Sequence, residues 1–131
     1  MAAAGAVLTA KDLIARHEAW KLTLWGAVFS RKPLSLEQVN QIVHAEQCPI
    51  GRWLESEASA NLRDSEEYED VVDFHADFHE EMMAVASLLA SKEYDEARRA
   101  IAPGSSFAET GRQLVQAITA LNRVQRIVAP E

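Results

Sequence analysis

Four stretches of the chain repeat their apolar residues at steps of three and four, and none sustains alternation at a step of two. A chain patterned in this way buries its apolar surface by packing helix against helix, which excludes a sheet. The first stretch, 10–30, aligns Leu13, His17, Trp20, Leu24 and Ala27 on one face. Thr9 and Asp12 form a capping-box pattern at its start. Lys32-Pro33 ends it, because proline disfavours helical geometry in the residue before it. Ser35 to Gln38 is a second capping box, opening a shorter helix that carries Leu36, Val39, Ile42 and Val43 to about Gln47. Pro49 and Gly51 then perturb the backbone, with a further helical turn expected over 52–59 and a polar connection over 60–65.

The longest stretch, about 66–90, places Val71, Phe74, His75, Phe78, Met82, Val85, Leu88 and Leu89 on one broad face. A short helical piece at 94–100 and a loop at 102–106 lead to a last helix, capped by Ser106 to Glu109 and striped by Leu114, Val115, Ile118, Leu121 and Val124. The predicted fold is all-α, an antiparallel four-helix bundle with an additional short helix or helices. With 131 residues the chain holds one core comfortably and two poorly, so a single domain over 1–131 is expected, its core at about 9–128.

Charge removes one class of function. Acidic residues outnumber basic ones by 20 to 13, and the densest basic clusters, Arg31-Lys32 and Arg98-Arg99, are only pairs. The net negative field repels phosphate backbones, so nucleic acid is not an expected partner. Residues 1–8 are apolar but lack the basic start and the length of a signal peptide, and no window approaches the ~18 apolar residues of a membrane span. No direct membrane insertion is expected. The single cysteine forms no internal disulfide and suits a reducing compartment, which points to the cytoplasm.

The same cysteine and three of the four histidines are the residues able to carry chemistry. His75 and His79 lie four apart in a helix, so their side chains stack on one face and can grip one ion; a hydrogen-bonded core niche is the other reading. Cys48 sits where proline and glycine interrupt the helical pattern, a place from which its sulfur can turn toward an ion, although a lone cysteine also serves as a small core hydrophobe. His17 falls inside the first apolar stripe and should point inward, toward a metal or toward a carbonyl or carboxylate. His44 lies roughly 130° from the mean direction of its helix's apolar residues, counting ~100° per residue, and is expected to face water as the spare. Three imidazoles and one thiolate match the four-coordinate nitrogen and sulfur preference of zinc and disfavour magnesium and calcium; copper and nickel also accept these ligand types.

Three segments, His17-Glu-Ala-Trp-Lys21, Cys48-Pro-Ile-Gly-Arg-Trp-Leu54 and His75-Ala-Asp-Phe-His79, closely resemble the signature of the chemoreceptor zinc-binding (CZB) family. The resemblance implies an antiparallel four-helix bundle, commonly a homodimer, with a three-His/one-Cys zinc site on His17, Cys48, His75 and His79. It further implies a sensory role, in which zinc level or oxidation of the ligand Cys48 by an oxidant such as hypochlorous acid modulates a chemoreceptor (chemotaxis) or a diguanylate cyclase (cyclic-di-GMP). These 131 residues contain neither a catalytic domain nor a long signalling coiled coil.

An enzyme is not expected. Four protein ligands leave zinc no position for water, and Asp77, two residues from each histidine, projects to a different helix face. Asp73, Asp77, Glu18 and Glu46 are read as solvated or as acceptors for ligand N–H groups. The alternative to a sensor is a structural zinc bundle that mediates protein association, with Trp20, Trp25 and Trp53 as core or interface aromatics and Trp25 as the interface candidate.

Overall fold

A computed structural model describes residues 9–124, which form six α-helices and two 3-10 turns with no strand among them. The helices are α1 (Ala10–Ser30), α2 (Leu36–Val43), α3 (Pro49–Glu55), α4 (Glu66–Ala90), α5 (Tyr94–Ala100) and α6 (Ser106–Val124). The expected continuation of the core to residue 128 and the apolar start at residues 1–8 lie outside the described residues.

The capping signals work as written at the first two helices. Thr9 Oγ1 accepts from the Asp12 N–H while the Asp12 carboxylate accepts from the Thr9 N–H, and Ser35 and Gln38 repeat the exchange at α2. At α6 the cap shifts by one residue. Ser105 Oγ accepts from the Ala108 N–H, and the Ser106 hydroxyl instead donates to Glu81 on α4.

The most extensive packing is between α4 and α6, and α1 lies against α3, α4, α5 and α6. Leu13, Leu24, Val71, Met82, Leu114, Ile118 and Leu121 are fully buried there, as the periodicity of the three long helices requires. Apolar area removed from water contributes roughly 25 cal/mol per Å2, so these stripes hold the fold together.

The second helix departs from the expectation. It stops at Val43 because His44 leaves helical geometry (φ −104°, ψ 73°), and a 3-10 turn over Ala45–Gln47 follows in place of a continued helix. Two turns are too few to seat the whole stripe: only Ile42 is buried, while Leu36 is 89% and Val43 49% exposed. The expected polar connection at 60–65 overlaps a second 3-10 turn, Glu57–Leu62, whose Leu62 reaches the core. A cleft lined by residues of α1, α2, α3 and α4 opens beside α2, and Cys48, His75 and His79 are among the residues that line it.

Candidate metal centre

Cys48 owes its position to the start of α3. It is the N-cap of that helix, with extended backbone and Pro49 at the first helical position, where a missing N–H costs nothing. Its sulfur takes the role of a capping oxygen and accepts the Gly51 N–H at 3.3 Å. Gly51 has no alternative. A Cβ at that position would stand 2.1 Å from the Ala45 carbonyl oxygen and 2.9 Å from Glu46 Cα, so only glycine lets α3 fold back against the turn before it. The Cys-Pro-Ile-Gly run thus aims a thiol inward from a helix N-terminus, where the helix dipole favours a negative sulfur.

From α4, His75 and His79 enter the same space one turn apart, their rings edge to face with centroids 4.6 Å apart. Cys48 Sγ and His75 Nε2 lie 3.0 Å apart. His79 Nδ1 is 2.8 Å from the Ile42 carbonyl oxygen, which can only accept, so Nδ1 carries the proton and Nε2 presents its lone pair. The fully buried Ile42 thereby does more for the site through its backbone than its side-chain pattern foretold.

One donor atom each from Cys48, His75 and His79 lie within 4.8 Å of one another, and all three residues are buried. Donor atoms on a tetrahedral zinc stand roughly 3.3–3.6 Å apart, which falls inside this spread. The chemistry of the set fits as well, since burial keeps every imidazole neutral. It lowers His75 to about 3, with the neighbouring His79 and His17 adding to the effect, and it lowers His79, opposed by its bond to Ile42 and by the charge of Glu46. Burial pushes the Cys48 thiol up, against the N–H groups of Gly51 and Ile50 and the charge of Arg52.

His17 stands beside this group without joining it. It is 1% exposed, its ring packs at 4.2 Å from the Phe78 ring, and burial lowers it to about 4. Neither ring nitrogen makes a well-aligned hydrogen bond: the ring meets the backbone of Gly111, and the Glu18 carboxylate stands 4.0 Å from Nε2. An orphaned buried imidazole costs roughly 1–3 kcal/mol, which a ligand bond at the adjoining group would relieve. His17, Cys48, His75 and His79 all line one cleft of about 810 Å3 between α1 and α2.

His44 stays outside, half-buried at the end of α2, with its Nδ1–H donating to the Asn40 carbonyl at 3.0 Å. Asp73 and Asp77 are exposed. Three contributors to the site had no signal of their own in the sequence: the Ile42 carbonyl, the Ala45–Glu46 turn behind Gly51, and Gly111 of α6, which approaches His17.

A family model described as the chemoreceptor zinc-binding domain matches residues 17–86. The chain belongs to the chemoreceptor zinc-binding family. The match spans all four expected ligands and ends inside α4, before α5 and α6. No curated protein and no solved structure matches the chain. As a member of this family with a buried Cys/His/His group, the chain has the equipment to bind zinc, and no described helix is long and apolar enough to cross a membrane.

Proposed function

We propose that this domain is a zinc sensor that holds one ion through His17, Cys48, His75 and His79. The observation that carries the reading is the buried Cys48/His75/His79 group with an orphaned imidazole beside it in the same cleft. Soft sulfur with imidazole favours zinc over the hard divalent cations. Bound there, zinc supplies a cross-link and no hydrolytic chemistry, because four protein ligands leave no position for water.

The four ligands come from three segments: α1, the start of α3, and α4. His17 would present a ring nitrogen to the other three from within the cleft, Cys48 would bind as the thiolate with its proton released to solvent, and His79 is already held in the required tautomer by Ile42. Ligation therefore adds a direct tie from α1 to the α3–α4 half within an antiparallel bundle of four helices, whereas without it α1 is held by side-chain packing alone. Zinc level becomes packing, and packing becomes the signal passed to a chemoreceptor or a diguanylate cyclase in the cytoplasm.

The sensing unit is a homodimer, for which the exposed stripe Leu22, Trp25 and Phe29 on α1 is suited. Trp25 and Phe29 stack at 4.9 Å and already form one apolar surface. A second input is favoured by the cleft reaching Cys48: hypochlorous acid entering there would oxidise the thiolate to a sulfenic acid, with chloride as the reduced product, and the weakened ligand would release the ion. Mass spectrometry after mild hypochlorous acid tests this, and an unmodified Cys48 with zinc retained refutes it.

The sensor reading is tested by hydrogen exchange. Zinc-loaded protein is expected to protect amides around His17 and Cys48 that exchange in chelator-treated protein. The same exchange pattern in both forms would sink it.

A further inference from the structure

The niche that holds His17 is closed on its far side by α6, a helix outside the segment that carries the family match. Gly111 stands at the contact. A Cβ built there would lie 3.3 Å from His17 Nε2 and 3.4 Å from Cε1, and 3.6 Å from Phe78 Cε1. This edge of the imidazole is therefore pressed toward the bare backbone of α6, with the Phe78 ring beside it. Gly111 is buried in the middle of a helix, where alanine would ordinarily be the better residue by about 0.5–1 kcal/mol. What glycine provides here is room for a histidine whose ring meets the helix backbone at Gly111 without forming a well-aligned hydrogen bond.

We propose that Gly111 is a positioning residue for zinc binding: it parks His17 against α6, outside the Cys48/His75/His79 group, and so lowers the zinc affinity of the domain. The inference rests on the reading of His17 as a ligand. Apparent affinity equals the affinity of the competent arrangement multiplied by its population, so whatever stabilises the parked histidine weakens zinc binding in proportion. It also makes α6 part of the device, because His17 must leave Gly111 when it turns to the other ligands. The contact surface on α6 then changes with metal.

The substitution that isolates this effect is Gly111→Ala. The added methyl falls a few tenths of an ångström inside comfortable contact with the parked ring and has an ordinary contact with Phe78. Zinc affinity of the wild type, Gly111→Ala, His17→Ala and the double variant is measured by competition with a chromophoric chelator. Expected are weaker binding for His17→Ala, binding tighter by about three- to tenfold for Gly111→Ala, and no effect of Gly111→Ala in the His17→Ala background.

Weaker or unchanged binding by Gly111→Ala in the wild-type background would overturn the inference, as would the same factor in both backgrounds. Wild-type affinity in His17→Ala would instead remove the ligand reading, and this inference with it. A second measurement needs no variant. Proton NMR of the wild type should show a nuclear Overhauser contact between the His17 ring and Gly111 without zinc that disappears when zinc is added; its persistence in zinc-loaded protein would refute the parked state.

Discussion

The same substitution, glycine to alanine, should have opposite signs at two helical positions of this chain. At Gly26, in α1, a Cβ meets nothing within 4 Å, so Gly26→Ala only removes unfolded-state entropy and should stabilise by about 0.5–1 kcal/mol. At Gly51, in α3, the same entropic gain is set against a Cβ placed 2.1 Å from the Ala45 carbonyl oxygen. Carbon and oxygen in contact need about 1 Å more than that, and both neighbouring atoms belong to backbone, which cannot rotate away. Overpacking of this kind costs about 1–3 kcal/mol or more, so a net loss of roughly 2 kcal/mol is expected. With a urea slope of about 2 kcal/mol per M, the midpoint of zinc-free protein should fall by about 1 M for Gly51→Ala and rise by about 0.3–0.5 M for Gly26→Ala. Because the Gly51 N–H also fixes the Cys48 sulfur, Gly51→Ala should bind zinc at least severalfold more weakly. A Gly51→Ala midpoint at or above that of the wild type would refute the packing argument for the Cys-Pro-Ile-Gly run.

Acid should destabilise the zinc-free protein through its buried imidazoles. His17 falls from 6.5 to about 4 on folding, so the unfolded chain binds more protons between those values; about 3 kcal/mol of stability, complete above pH 6.5, is lost toward pH 4, and a flat urea midpoint from pH 7 to 5 would contradict this. Cys48 has the opposite sign: its thiol is raised above 9.0, so stability should decline above about pH 9, and Cys48→Ser should abolish that decline. Trp25→Ala should lower the mass measured in solution by light scattering, an unchanged mass counting against the α1 stripe as an interface. At Gly104, where φ is +86°, Gly104→Ala should destabilise by about 1 kcal/mol despite open space around it; a midpoint shift of zero would mean the loop relaxes.

Much of this arrangement was legible in the sequence, and the exceptions share one cause. The long helices announce themselves because α1, α4 and α6 repeat apolar residues over five or more turns, enough for the period to dominate. At α2 the same pattern misleads: the helix has only eight residues, and Leu36 and Val43 remain exposed although the stripe reads inward. The i, i+4 histidines and the Cys-Pro-Ile-Gly run are local features, so their meeting partners could be named in advance. The hydrogen bond of His79 to the Ile42 carbonyl and the contact of Gly111 with His17 join residues 37 and 94 positions apart through backbone atoms, which no residue type encodes. His17 points inward as its stripe predicts, but the stripe does not reveal that its ring meets the backbone of Gly111.

Elemental analysis of purified wild-type protein beside His17→Ala, Cys48→Ala and His79→Ala tests whether one zinc ion is held on a three-His/one-Cys site. About one zinc per wild-type chain is expected, with content lost or weakened in each variant. Wild-type protein that takes up no zinc when kept free of chelators and offered the metal would contradict it, leaving a helical domain whose buried histidines serve the core alone.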